Sequence, residues 1–208
     1  MYLSRLVLND RERRVYQDLA NAHKLHQRIM QGFPDVKEDI ATPRQDWHIL
    51  YRQEPESDSL IILVQSTIAP DWERLPGGYL TAVRVKSFDW SPQVLKPGNL
   101  YQFRLQANPS KRDSKTRKII GFYQQEEQLN WLLNRSESWG FRCLDVDPVP
   151  LPNTYGKKRN QSGKISIHAV LFQGTLQVID SDKLISALTT GIGRGKSYGC
   201  GLLSIAKV

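Results

Sequence analysis

The stretch "KISIHAVLFQGTLQVIDSDKLISALTTG", from Lys164 to Gly191, decides the fold because a strand pattern leads directly into a helix pattern. Apolar residues alternate with other residues from Ile165 to Leu171 and resume at Leu176, which is typical of strands with one buried face. We interpret the intervening Gln-Gly pair at 173–174 as a turn. The segment therefore predicts a β-hairpin that packs one face on the core.

The second part of the same stretch predicts a helix. Asp180 is a favourable N-cap, Leu184 and Leu188 are four residues apart, and Gly191 ends the pattern. A glycine-rich loop and a last strand, "LLSIAKV", follow the helix. With the strand pattern "FRCLDV" at 141–146, the second half of the chain reads as a small α+β unit.

The first half repeats this mixture of strands and helices. After the β-rich start "MYLSRLVLN", an amphipathic helix capped by Asn21 is predicted over about residues 22–31. Strand patterns follow at 47–53, 60–67, 79–88 and 100–108, and a further helix pattern covers 124–135. This order predicts an α+β protein with two tandem ferredoxin-like (RRM-like) domains and antiparallel sheets. We expect an N-terminal domain over 1–110, a basic connection and linking helix over 111–140, and a C-terminal domain over 141–208.

The composition is that of a globular protein with excess positive charge. Of 208 residues, 39% are hydrophobic, and no apolar run is long enough to cross a bilayer. We therefore expect a cytoplasmic protein without a membrane partner. Lys and Arg number 29 against 21 Asp and Glu, and the net charge of +8 favours nucleic acid or another polyanion as partner.

His23 and His26 are three residues apart in the helix predicted over 22–31. Residues at this spacing share one helix face, about 5–6 Å apart at Cβ. Neither His48 nor His168 has a ligand spacing to this pair, so we expect no metal. Two imidazoles at a phosphodiester can divide the acid and base work of RNA cleavage, since both titrate near neutrality. Solvated histidines on a helix surface are the alternative.

The loop "GIGRGKSYGCG", residues 191–201, imitates a nucleotide-binding motif without matching one. A P-loop needs glycine where this chain has Thr190, and a dinucleotide fingerprint needs glycine at Lys196. We therefore expect no small-molecule cofactor. The glycines can bring backbone N–H groups close to anionic oxygens, with Arg194 and Lys196 adding charge. A crossover loop in which the glycines serve only packing explains the motif equally well.

Two connections beside strands are strongly basic. The segment "NPSKRDSKTRKI" contains one acid, Asp113, among the cations Lys111, Arg112, Lys115, Arg117 and Lys118. The segment "YGKKRNQSGK" has no acid and contains Lys157, Lys158, Arg159 and Lys164. Cations of this kind can lie along a phosphate backbone, although a solvated loop is the common outcome for a single charge run.

The whole chain resembles the CasE group of CRISPR-associated endoribonucleases, which process the precursor transcript in type I-E systems. The resemblance lies in the start "MYLSRLVLN", "LHQ" with "FP" shortly after it, "RLQANPSKR", "GKI", "VLFQGTL" and the ending "GIGRGKSYGCGLLSIA". It implies two tandem ferredoxin-like domains, binding to the stem-loop of the CRISPR repeat RNA, and metal-independent cleavage at the 3′ base of that stem. It also implies that the enzyme keeps its product and joins the other subunits of the Cascade complex.

The resemblance also assigns candidate residues. The catalytic histidine of the family matches His26, and members often have a tyrosine where this chain has His23, which becomes a candidate substitute in positioning or proton transfer. The segment from Lys157 to Arg159 resembles the hairpin that the family sets against the RNA stem. We expect the cations at 111–118 to line the same groove, and the remaining candidate RNA-binding residues are Arg194, Lys196 and Arg28.

Two other functions fit the same sequence. One is an RNA-binding subunit of the same ancestry that does not cut, and the other is an RNA-binding module with no CRISPR connection. Ferredoxin-like domains serve binding and catalysis alike, so the fold cannot choose between these functions.

Overall fold

The structure, a computed structural model, describes residues 1–35, 45–56, 59–157 and 164–208. The strands are β1 (Tyr2–Leu8), β2 (Leu50–Glu56), β3 (Ser59–Ser66), β4 (Leu80–Ser87), β5 (Leu100–Ala107), β6 (Ser110–Arg112), β7 (Ile119–Gly121), β8 (Phe141–Pro150), β9 (Thr154–Lys157), β10 (Lys164–Ile167), β11 (Val170–Val178) and β12 (Leu203–Lys207). The helices are α1 (Arg13–Leu19), α2 (Ala22–Met30), α3 (Gln125–Ser136) and α4 (Ser181–Thr190).

The chain forms two compact units, and each is described by itself. The first contains Met1–Asp89, Thr154–Ser166 and Ser197–Gly199, and the second contains Trp90–Asn153, Ile167–Lys196 and Cys200–Val208. The expected domain boundary after residue 110 is corrected to one after residue 89. The reason is that β5 pairs with β11 and β12, so it belongs to the second sheet. Residues 111–140, expected as a connection, are also part of the second unit.

The first unit is built on a four-stranded sheet with the order β2-β3-β1-β4. All three strand pairs are antiparallel. Helices α1 and α2 connect β1 to β2, and a single 3₁₀ turn at Trp72–Arg74 stands between β3 and β4. This is a ferredoxin-like arrangement in which the second helix is reduced to one turn.

The second unit has the sheet order β12-β5-β11-β8, again with antiparallel pairs. Its chain order, β5-α3-β8-β11-α4-β12, is a complete ferredoxin-like repeat. The β6–β7 hairpin is inserted before α3, and the chain between β8 and β11 contains the two-stranded sheet β9–β10, most of which belongs to the first unit. The predicted tandem of ferredoxin-like domains is therefore confirmed.

The turn predicted at residues 173–174 is wrong, because β11 runs through these residues as one strand. Gly174 lies in the middle of the sheet, paired with Phe103 on one side and Val146 on the other. A Cβ at this position would lie 2.1 Å from the carbonyl oxygen of Asp145. The glycine thus permits the close approach of β8, and a glycine within a strand pattern can mark such an approach as readily as a turn.

Each unit has its own hydrophobic core. In the first, helix α2 contributes Leu25 and Ile29, which are 1% and 2% exposed, and the segment after the helix adds Phe33. The indole of Trp72 then packs over Gly32, where a Cβ would lie 2.4 Å from the ring. These contacts fix both the rotation and the end of α2.

Candidate active site and nucleic-acid interface

Helix α2 begins and ends as the sequence predicts. The side-chain oxygen of Asn21 accepts a hydrogen bond from the backbone N–H of His23 at 3.1 Å, which caps the first turn. Since Ala22, Leu25 and Ile29 face the core, the two histidines of α2 fall at the border of the buried face. Both side chains are half-buried.

The imidazoles of α2 are not solvated surface groups. The Nδ1 atoms of His23 and His26 are both shielded from solvent. The His23 atom has no hydrogen-bond partner among the residues that the structure describes. A shielded polar atom without a partner costs about 1–3 kcal/mol, and a catalytic role is one of the reasons for which proteins retain such an atom. The burial of these atoms favours a functional histidine pair over the surface alternative.

Tyr198 is a further candidate site residue, which the sequence analysis missed. Its ring lies edge-on to the imidazole of His26, with the ring centroids 6.3 Å apart and the planes at 68°. The hydroxyl of the buried Tyr51 donates a hydrogen bond to the carbonyl oxygen of Ser197 at 2.9 Å, which holds the 3₁₀ turn carrying Tyr198. The sequence feature that could have identified Tyr198 is its position as a lone aromatic residue inside the glycine-rich loop.

The strand that leads into the first basic segment lies beside the same helix. Strand β9 packs along α2, and Lys157 is its last residue. Lys158 and Arg159 lie outside the described residues. The structure thus brings the backbone that leads into this basic segment next to the helix that carries His23 and His26.

The second unit presents the other basic segment as a tight β6–β7 hairpin. Its cations are all exposed and are Lys111, Arg112, Lys115, Arg117 and Lys118. Asp113, the one acid of the hairpin, accepts hydrogen bonds from the backbone N–H and hydroxyl of Thr116, at 2.6 and 2.7 Å. These bonds hold the pKa of Asp113 below its usual value, the backbone bond first. The turn is therefore ordered by its one acid while its cations face solvent.

Arg194 and Lys196 of the glycine-rich loop have different environments. Arg194 is exposed, and its backbone forms a β-bridge with Asn108. The ammonium of Lys196 donates to the carbonyl oxygen of Thr190 at 2.6 Å, near the end of α4, and burial lowers its pKa. Arg194 is thus the better placed of the two for contact with an anion.

Arg28, a candidate RNA-binding residue, lies in a structural ion pair. Its Nε donates to the Asp18 carboxylate at 2.7 Å, and its guanidinium lies 5.0 Å from the ring centroid of Tyr79. The side chains of Arg28 and Asp18 are only 17% and 7% exposed. This geometry favours stabilisation of the first unit over contact with RNA.

Two further properties of the described residues bear on function. Within residues 1–35, 45–56, 59–157 and 164–208, no three His, Cys, Asp or Glu side chains come together as a set that could hold a metal ion. No helix in these ranges has the length and apolar character needed to cross a membrane.

Two ferredoxin-like units, the second of which presents an exposed cationic hairpin, are an architecture typical of RNA-binding proteins. Comparison with known families identifies the protein family to which the chain belongs. The family described as CRISPR associated protein matches residues 1–207 of this chain, and the chain belongs to that family.

The relatives are similar over almost their entire length. The CRISPR-associated endoribonuclease Cse3 of Thermus thermophilus is 35% identical over 99% of this chain and all of the relative. The CRISPR system Cascade subunit CasE of Escherichia coli is 32% identical over 99% of both chains. Among solved structures, Thermus thermophilus Cse3 bound to an RNA representing a pre-cleavage complex has a TM-score of 0.82 at 35% identity, covering 99% of this chain and 98% of that one.

Proposed function

We propose that this protein is an endoribonuclease that binds the stem-loop of the CRISPR repeat and cuts precursor CRISPR RNA at the 3′ base of the stem. It then keeps the product and works as a subunit of Cascade. The observation that carries this proposal is the position of His26, on a helix that packs beside β9 and at the edge of the Tyr198 ring. The full-length similarity to a Cse3 endoribonuclease and to a CasE subunit supports the substrate class and the complex.

The reaction proposed is attack by the ribose 2′-hydroxyl, without a metal ion. One imidazole of the His23–His26 pair accepts the 2′-hydroxyl proton as the 2′-oxygen bonds to phosphorus. The other donates a proton to the 5′-oxygen as the P–O5′ bond breaks. The products are a 2′,3′-cyclic phosphate and a 5′-hydroxyl end. His26 is the principal catalytic residue of the pair, and His23, whose Nδ1 is shielded from solvent, shares the proton transfer.

The basic segments supply the affinity for RNA. An A-form stem is recognised mainly through its phosphates and shape, because its major groove is too narrow for side chains. The residues proposed to contact phosphates are Lys157, Lys158, Arg159, Lys111, Arg112, Lys115, Arg117, Lys118 and Arg194. Lys196 supports the same surface indirectly, since its ammonium is bonded to the carbonyl of Thr190.

The experiment that tests the catalytic assignment is His26→Ala, assayed on the repeat hairpin of the host organism under single-turnover conditions. Loss of general acid–base catalysis predicts a rate decrease of about 10²- to 10⁴-fold with little change in RNA affinity. His48→Asn is a matched control, because His48 has φ 43° and Asn tolerates this left-handed backbone. Cleavage that survives in His26→Ala would place the chemistry elsewhere.

Two measurements test the mechanism itself. A 2′-deoxy substitution at the nucleotide before the cut removes the nucleophile, so the wild-type protein should bind this RNA and leave it intact. EDTA should leave the rate unchanged, and inhibition by EDTA would contradict a metal-independent reaction. Wild-type protein that binds the hairpin tightly without cutting it would instead identify a non-cleaving RNA-binding subunit.

A further inference from the structure

The second unit has an aromatic pair that the proposed reaction does not use. Tyr123 is 70% exposed, in the connection between β7 and α3. The ring of His168 lies against it, with the centroids 4.8 Å apart and the planes at 47°. Single exposed aromatic residues are common, so the exposure alone carries no inference. Two features distinguish this pair: both rings are held in fixed positions, and the cations of the β6–β7 hairpin are nearby.

Both rings of the pair are held in place. The Tyr123 ring lies over Gly121, whose missing Cβ would be 3.8 Å from the ring atoms. The Nδ1 of His168 is 2.7 Å from the side-chain oxygen of Asn153, a hydrogen bond that fixes the imidazole. A surface ring that is already ordered loses little conformational entropy when it binds a ligand.

The aromatic pair adjoins the cationic β6–β7 hairpin. Tyr123 follows β7 by two residues, and the residue between them, Phe122, has its ring 5.5 Å from the ammonium of Lys111. The backbone N–H of Phe122 donates to the carbonyl oxygen of Pro109 at 2.9 Å, which ties this connection to the start of the hairpin. An exposed ring beside an array of cations is the combination with which proteins hold single-stranded RNA.

We propose that Tyr123, supported by His168, stacks on an unpaired nucleobase of the bound RNA while the β6–β7 cations hold the adjacent phosphates. The bases of the stem are already stacked on their neighbours, so the ligand is a nucleotide outside the stem. The inference rests on the proposed RNA binding and adds to it a site for one single-stranded nucleotide. Stacking of this kind tolerates any base, because every base has a π-face.

The test combines protein variants with abasic RNAs. Wild-type protein, Tyr123→Ala and Tyr123→Phe are titrated with the host repeat hairpin carrying 2′-deoxyribose at the cut, in which each unpaired nucleotide is replaced in turn by an abasic site. Tyr123→Ala should lower the affinity for the intact RNA by about 5- to 150-fold, as for loss of one base–aromatic stack, and Tyr123→Phe should not. At one nucleotide, removal of the base should cost affinity in the wild type and nothing further in Tyr123→Ala.

Two controls separate stacking from charge and from folding. Tyr16, on α1, is 53% exposed, and Tyr16→Ala should bind the RNA like the wild type. Tyr123→Ala removes no charge, so the salt dependence of binding should keep its slope while the affinity falls. His168→Ala should produce a smaller loss at the same nucleotide.

Three outcomes would overturn the proposal: unchanged affinity in Tyr123→Ala, an equal loss for a bare stem without unpaired nucleotides, or additive effects at every abasic position. If Tyr123 instead binds a protein partner, Tyr123→Ala would leave the RNA affinity unchanged. Failure of the proposed function is distinguished by a separate readout, since it would appear as cleavage of the 2′-deoxy RNA or as absence of RNA binding by the wild type.

Discussion

Replacement of Tyr198 by leucine should slow RNA cleavage without weakening RNA binding. Its ring is within the 4.5–7 Å centroid range and near the edge-on angle that favour aromatic pairs. Such pairs are worth about 0.5–1.5 kcal/mol beyond the area they bury. If this energy holds the His26 imidazole in its reactive orientation, its loss lowers the rate by about 2- to 13-fold, since 1.36 kcal/mol is a factor of ten.

The assay is single-turnover cleavage with protein in excess, which measures the chemical step, together with RNA affinity measured on the 2′-deoxy hairpin. Tyr198→Phe keeps the ring and should restore the rate. In a His26→Ala background, Tyr198→Leu should have no further effect, because the group that it positions is absent. An unchanged rate in Tyr198→Leu, or a rate loss matched by an equal loss of affinity, would refute the positioning role.

The remaining predictions concern the fold and the basic segment of the first unit. Gly174→Ala should destabilise the protein by about 1–3 kcal/mol or more in thermal or urea melts, because the added Cβ meets a backbone carbonyl at 2.1 Å. Gly77→Ala, where a Cβ meets nothing within 4 Å, should change it by less than about 0.5 kcal/mol; equal melts would contradict the packing argument. Lys157→Ala combined with Arg159→Ala should weaken RNA binding and reduce the salt slope by about 1.4–1.8, whereas Lys207→Ala should not; an unchanged slope would assign the pair to solvent.

Local signals in the sequence were sufficient to predict helices α2 and α4. The helix predicted over about 22–31 is observed at Ala22–Met30, and the predicted caps at Asn21 and Asp180 both accept backbone hydrogen bonds. Capping and helical spacing act within a few residues, so a short window contains them. The domain boundary was predicted wrongly because β5 pairs with strands that come more than sixty residues later, and a run of apolar residues does not indicate its partner.

The same distinction holds for the candidate site. The spacing of His23 and His26 indicates that they share a helix face, because that geometry is local. The contact between His26 and Tyr198 depends on how the C-terminal loop folds back, and the sequence does not contain that information in any short window. The environment of Arg28 was likewise beyond the sequence, because its ion pair with Asp18 depends on how α1 packs against α2.

The sequence offered two explanations of the glycine-rich loop, anion binding or close packing. The structure shows a third role. The segment Ser197–Gly199 belongs to the first unit although the loop residues on either side belong to the second. Gly195 and Gly199 have φ of 82° and 85°, a backbone conformation that other residues rarely adopt. They lie on either side of Tyr198 in the sequence. The glycines thus permit the backbone turns on either side of Tyr198, whose ring contacts His26 within the first unit. The position of the Tyr198 ring beside His26 therefore depends on the hydrogen bond that the Tyr51 hydroxyl donates to the carbonyl oxygen of Ser197.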